Sequence, residues 1–199
     1  SLSTLRNRAR DLGRNDPWIA RQAKIYASNL VGKGIRPVAK SPDKGWNRAC
    51  MEIWNDWVYE CDVAGKLTFY AMQAMAARCI YFTGEGLLRD VYGADENSVL
   101  PYQLQFLEGD YLDHNYNTRL ENGNRIIQGV EMGRYKAEAY HLFKDHPAEM
   151  LWGQNNLERI RVPASDIQHF CVQDRPGQIR GVPVIVSVLL KIMDFLEYE

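Results

Sequence analysis

Through residue 82 the apolar positions recur at helical spacing, and beyond Gly84 they alternate. Asp16-Pro17 opens the first clear helix: Asp offers an N-cap acceptor, and Pro suits the first helical position, where its missing N–H has no partner to lose. Ile19, Ala23, Tyr26, Ala27 and Leu30 then share one face, and Gly32 and Gly34 end the run. In the second helix Trp46, Cys50, Ile53, Trp54, Trp57 and Val58 recur at offsets 0, 4, 7, 8, 11 and 12. Arg48 and Glu52 add an i,i+4 pair worth a few tenths of a kcal/mol. A third helix is predicted over 68–82, with Phe69, Met72, Ala76, Cys79 and Ile80 inward. The stretch before Asn15 is weakly patterned and reads as an arm or frayed helix packed on something else.

After Gly84 the period shortens. GEGLLRDVYG suggests a strand, and Tyr102, Leu104 and Phe106 alternate with Gln103 and Gln105. Asn122-Gly123 signals a turn, with strands expected over 125–131 and 136–143. A loop is expected over 147–156, and Val162-Pro163 leads into a strand over 167–172. The polar DRPGQIRG run, 174–181, precedes a final segment, 183–199, whose length and early proline favour helix. The expected fold is therefore α+β, with N-terminal helices, then a mostly antiparallel sheet, then a helix. Four parts are expected: a basic arm at 1–15, helices at 16–82, a sheet-rich part at 83–182 and a closing helix at 183–199. Glu199 follows no C-cap signal, so the chain is expected to stop inside that helix, as a piece of a longer protein would.

Composition changes this picture little; charge changes it more. A chain of 199 residues, 46% hydrophobic and 25% charged, suits an ordinary core and excludes a disordered or collagen-like chain. The longest apolar-rich run, 182–190, is too short to span a bilayer, so no membrane partner is expected. Residues 1–48 hold 11 Lys and Arg against 3 Asp and Glu, whereas 49–199 hold 13 against 22. The basic end offers Arg6, Arg8, Arg10 and Arg14 for a polyanion or for an acidic subunit surface. Cys50, Cys61, Cys79 and Cys171 are too sparse for a disulfide scaffold and are expected to be reduced, mostly buried thiols.

Catalytic patterns are missing. Gly32-Lys33-Gly34 and Gly84-Glu85-Gly86 follow helical patterns and lack phosphate-loop or dinucleotide spacing, so they read as helix ends. His169 and Cys171 can share a strand face and could join His141 or His146 at a metal, but no paired ligand spacing accompanies them. Neither a G-x-S-x-G elbow nor an H-E-x-x-H helix occurs. Glu108, Asp110 and Asp113 form an acidic cluster, the basis of one alternative: a hydrolytic or metal-assisted enzyme. A DNA-binding module using the basic arm is another. The tryptophans of the second helix read as packing and not as base-stacking platforms.

Several motifs together resemble a known family, the lambda-type bacteriophage portal proteins, and specifically their N-terminal portion. RNDPWIARQAKIYASNLVGKGIRP resembles the family's opening helix and V-G-x-G-I-x-P exit through Asn15, Pro17, Asn29, Gly32, Gly34 and Pro37. The Trp54 and Trp57 helix, residues 69–77 and the Gly84-Glu85 step follow in order. PYQLQFLEGDYLD is similar to an L-Q-x-L-E-x-D-x-L core through Leu104, Gln105, Leu107, Glu108, Asp110 and Leu112. AYHLFKDHP and RVPASDIQHF come next, then DRPGQIRGVP, where Arg175, Pro176, Gly177, Gln178, Arg180, Gly181 and Pro183 fall on the family's R-P-G-Q-x-R-G loop. Two departures occur: Gly133-Arg134-Tyr135-Lys136 replaces a proline-containing hairpin, and residues 182–186 replace a small-residue step.

The resemblance implies much of the wing of a dodecameric portal ring, with 183–199 leading toward the stem. It implies a structural, non-catalytic subunit at the capsid vertex of the virion, assembled in the host cytoplasm. Double-stranded DNA would pass through its channel without sequence preference during packaging and ejection. Implied partners are further copies, terminase, and capsid, head-completion or tail proteins; no cofactor and no metal are implied. Assembly roles are expected for Arg175, Gly177, Gln178, Arg180, Gly181, Asn29, Gly32, Gly34, Trp54 and Trp57. Arg175 and Arg180 are expected to tie neighbouring elements or subunits.

Overall fold

A computed structural model describes residues 2–93, 98–147 and 158–196. Four helices come first: α1 (Leu2–Asn15), α2 (Pro17–Val31), α3 (Lys44–Glu60) and α4 (Phe69–Thr83). Eight strands follow among the described residues: β1 (Glu85–Tyr92), β2 (Tyr102–Glu108), β3 (Thr118–Arg119), β4 (Arg125–Ile127), β5 (Val130–Met132), β6 (Ala137–Phe143), β7 (Arg159–Pro163) and β8 (Ile167–Cys171). Helix α5 (Val186–Leu196) closes the order. The fold is α+β, helices first and antiparallel sheets after. Among the described residues no helix is long and apolar enough to cross a membrane.

The caps act where the sequence places them. Asp16 accepts from the N–H groups of Trp18 (2.7 Å) and Ile19 (3.1 Å), satisfying two donors that have no partner inside α2. Gly32 ends α2 by donating its N–H to the carbonyl of Ser28. α2 packs against α1 and α4, and on it Ile19, Ala23 and Ala27 are buried whereas Leu30 is exposed. Likewise α3 buries Trp57 and Val58 and leaves Trp46 and Ile53 out. Its C-terminal half is the half that meets β2: Trp57 Nε1 donates to the carbonyl of Tyr102 (2.7 Å), and the two rings stack with centroids 5.7 Å apart.

The N-terminal stretch, expected as an arm or a frayed helix packed on something else, is the helix α1, and it packs within its own chain. Ala9 is wholly buried, and Leu5 and Leu12 pack with Ile19 of α2 and with Ile185 and Leu189 around α5. Its pattern is weak in the sequence because one inward position is an arginine, Arg6.

β1 is the centre of a three-stranded sheet in the order β2-β1-β8; the other sheet runs β3-β4-β5-β6-β7, all pairs antiparallel. Leu87, Leu107 and Ile167 of the first sheet meet Val130, Tyr140, Leu142 and Val162 of the second in one core. The strand expected over 125–131 is two strands, broken at Gln128-Gly129, where φ is 51° and 84°. β7 was not expected. The loop expected over 147–156 lies, apart from Pro147, outside the described residues.

Candidate functional site

The register of β1 decides what the interior holds. Glu85 begins the strand directly after α4 and stands opposite Cys171 of β8, with Gly86 between Glu108 and Phe170. Glu85 is wholly buried. A lone carboxylate there would cost several kcal/mol, and this one has donors on both oxygens. Arg6 Nη2 of α1 (2.7 Å), Arg180 Nε (2.8 Å) and Arg180 Nη2 (2.5 Å) all donate to Oε1. His169 Nε2 of β8 (3.1 Å) and the Gly181 N–H (2.8 Å) donate to Oε2.

The remaining guanidinium donors reach carbonyls. Arg6 Nε donates to Thr83 (2.8 Å), and Arg6 Nη2 also to Gly181 (3.1 Å). Arg180 donates to Gln128 (2.8 Å), in the β4–β5 turn, and to Gly109 (2.7 Å), in the short 3-10 turn after β2. One carboxylate thus joins α1, α4, β1, β8 and the 174–181 loop, and through Arg180 both sheets. Burial alone would push the Glu85 carboxyl up. The bond from His169 and the charges of Arg180 and Arg6 outweigh it and hold it well below the usual carboxylate range.

Two glycines make the approach possible. A Cβ on Gly84, whose φ is +82°, would run into the backbone of Gly181 and Val182, and one on Gly181 would run into the Gly84 carbonyl. Gln178 shapes the loop itself. Its Oε1 accepts from the Asp174 N–H (3.0 Å), and its Nε2 donates to the carbonyls of Val172 (3.2 Å) and Arg180 (2.9 Å). Arg175 and Gly177 are exposed, and the loop turns through a bond from the Gln178 N–H to the Arg175 carbonyl. Asn29, Gly32, Gly34, Trp54 and Trp57 lie away from this hub. Gly34 sits against the Tyr70 ring, and Trp54 and Trp57 pack with Phe69.

The basic end does not form one patch. Arg6 is interior, which removes it from any surface contact. Arg10 pairs with both Glu108 (2.8 Å) and Asp110, and only Arg8 and Arg14 are exposed. The charge asymmetry of the sequence is in part satisfied inside the chain, since the N-terminal arginines meet acids of the later part.

The acidic trio is split as well. Glu108 borders a cleft of about 660 Å³ with His146, Arg14 and Tyr111, Asp110 shares Arg10 with it, and Asp113 turns away to pair with Arg159. Glu108, Asp110 and His146 are close enough to share a cation, but the Arg10 guanidinium already lies between the two carboxylates. His141 and His169 face separate carboxylates, Glu131 and Glu85, each at 3.1 Å, so they do not converge with Cys171 on a metal. Burial pushes the Cys79 thiol beside the cleft up to about 12 and the Cys61 thiol up to about 11, which leaves both poor nucleophiles. The sequence reading missed Glu85 as the centre; the available signal was a charged residue where a buried strand begins.

The whole sequence, residues 1–199, matches the profile of the family described as phage portal protein, lambda family. The chain belongs to that family. A probable portal protein of Halomonas phage phiHAP-1 is 29% identical over 188 residues, which is 89% of this chain and 36% of that relative. A chain in the solved neck of an empty GTA particle, computed with C6 symmetry, superposes with a TM-score of 0.54 at 15% identity. That likeness covers 94% of this chain and 43% of the other, and at such identity it is a likeness of fold. This portal-family chain therefore spans well under half the length of both. The Gly84-Glu85 step and the Arg180-Gly181 loop, far apart in the sequence, are the pieces that its fold brings into one buried contact.

Proposed function

We propose that this chain is much of the wing of a portal subunit, a structural part of a dodecameric ring at the capsid vertex of a virion. The observation that carries the reading is the family match over all 199 residues. The work assigned to it is mechanical and electrostatic: holding a channel through which double-stranded DNA moves inward during packaging and outward during ejection. Such DNA must slide, so its contacts are weak, repeated and blind to sequence. An excess of acids over bases in residues 49–199 suits a surface that does not grip phosphates. Terminase, and capsid, head-completion or tail proteins, are the partners of the full-length ring, which assembles in the host cytoplasm.

No catalytic residue is assigned. The hub around Glu85 is sealed from solvent, and Arg10 pairs with the Glu108 carboxylate at the cleft and with Asp110 beside it. Both features support a scaffold and not a reaction centre. Electron microscopy of the full-length gene product tests the reading. Rings with an open axial channel and countable rotational symmetry are expected; a monomer or dimer at every salt concentration would overturn it.

A further inference from the structure

Two surfaces of the helical layer hold apolar side chains that no described residue of the chain covers. The first is the strap of residues 32–43 between α2 and α3. It has no helix or strand, yet its backbone is pinned. The Ile35 N–H donates to Gln73 Oε1 (2.6 Å), and Gln73 Nε2 donates back to the Ile35 carbonyl (2.7 Å). Asn47 holds Ser41 in the same two-way fashion, at 2.8 and 2.9 Å. On this fixed backbone Ile35 and Val38 stand 64% and 63% exposed, among the exposed cations Lys33, Arg36 and Lys40. Ordering a strap in order to hold two aliphatic side chains in water brings no stability to this chain.

The second surface is the outer face of α3. Ile53 is 43% exposed, between the exposed carboxylates Glu52 and Asp56, with Glu60 one turn on. Beside it lies a hollow of about 200 Å³ lined by Cys50, Ile53, Trp54, Trp57, Leu100 and Tyr102, large enough for one aliphatic side chain. Among the described residues the buried Nε1 of Trp54 has no acceptor. No residue of the strap lines the hollow in its own chain.

We propose that these surfaces are the two halves of one interface between copies of this chain. The strap of one copy lies on α3 of the next: an aliphatic side chain enters the hollow, and Lys33, Arg36 and Lys40 face Glu52, Asp56 and Glu60. The inference rests on the ring reading, because a head-to-tail ring needs two different, complementary patches on every subunit. Charge selects the occupant. Set against its own copy, the strap would bring Lys33, Arg36 and Lys40 together and α3 would bring Glu52 and Asp56 together beside the exposed Arg48, whereas the strap and the acids of α3 complement each other in sign.

The test uses the full-length gene product, with ring yield counted by electron microscopy and folding followed by circular dichroism. One variant carries Arg36→Glu and Lys40→Glu; the other carries Glu52→Lys and Asp56→Lys. Each alone is expected to lose rings by at least about tenfold with unchanged melting, since like charges then face each other at the contact. An equimolar mixture is expected to recover rings of alternating subunits, as is the single chain carrying all four changes. The neutral changes Arg36→Gln and Asp56→Asn, milder for the fold, are expected to lower ring yield in the same direction.

Rings from both reversed variants at the wild-type yield would overturn the interface and leave the ring reading standing. Loss without rescue in the mixture or the fourfold variant would also overturn it, by assigning the patches to another cover, such as the rest of the same polypeptide. Wild-type protein that forms no rings would overturn the ring reading itself, and is seen before any variant is made.

Discussion

Glu85 shows how one residue can tie the helical and sheet parts of a fold together. A buried ion pair adds little over a well-packed apolar substitute, but deleting one partner strands the other charge away from water. Arg180 has a side-chain exposure of only 2% and reaches both a carboxylate and two carbonyls. Arg180→Ala is therefore expected to cost about 3–5 kcal/mol in urea unfolding. Arg180→Lys should recover little of that, because an ammonium cannot reproduce the fork that spans Glu85, Gly109 and Gln128. Lys144→Ala removes an exposed pair, Lys144 with Glu158, and should change stability by no more than about 1 kcal/mol. Equal losses at the two sites would refute the role given to the hub.

The same carboxylates set the response to acid. Glu131, held by Arg161 against the opposing push of burial and supported by Asn124 and His141, titrates at about 2 in the folded chain against an ordinary 4.5. Glu85 is shifted in the same direction. Groups depressed on folding lend stability that is complete above the unfolded value and is lost as pH falls through the folded one. Urea midpoints should hold from pH 7 to 5 and then drop steeply from about 4.5 toward 2. Glu131→Gln should be less stable at pH 7 but show a shallower drop. A parallel curve would remove Glu131 from the account.

At the scale of elements, the sequence was most legible where structure is local. Asp16-Pro17 marks the start of α2, Thr68 caps α4, and Asn122-Gly123 turns β3 into β4, since each acts within a few residues of itself. The β4–β5 turn was hidden because Gln128 occupies a left-handed conformation with no help from its residue type. Its position is held from outside: Arg180 binds its carbonyl, and Asn117 Oδ1 accepts from its N–H at 3.0 Å. Asparagine tolerates that conformation better and favours this turn before glycine. Gln128→Asn is thus expected to raise stability by about 0.5–1 kcal/mol. A loss would mean that the strain is not at the backbone of this turn.

At the scale of the molecule, what the sequence concealed is long-range. Arg6 and Glu85 are 79 positions apart and Glu85 and Arg180 are 95 apart, so no window of the sequence contains their contact. For the same reason an N-terminal segment that reads as an arm or frayed helix packed on something else is a packed helix carrying one of the hub's two arginines. Deleting residues 2–14 would strip Leu5, Ala9 and Leu12 from Ile185 and Leu189 and leave Glu85 with one guanidinium instead of two. The core between the sheets, built from residues such as Val130, Leu142 and Val162, contains nothing from α1. Hydrogen exchange should then reveal a divided response. Amides of α5 are expected to lose protection in the deleted protein, while those of β5 and β6 keep most of theirs. Uniform loss would mean that the hub couples the helical and sheet layers into one cooperative unit, and unchanged protection would return α1 to the status of an arm.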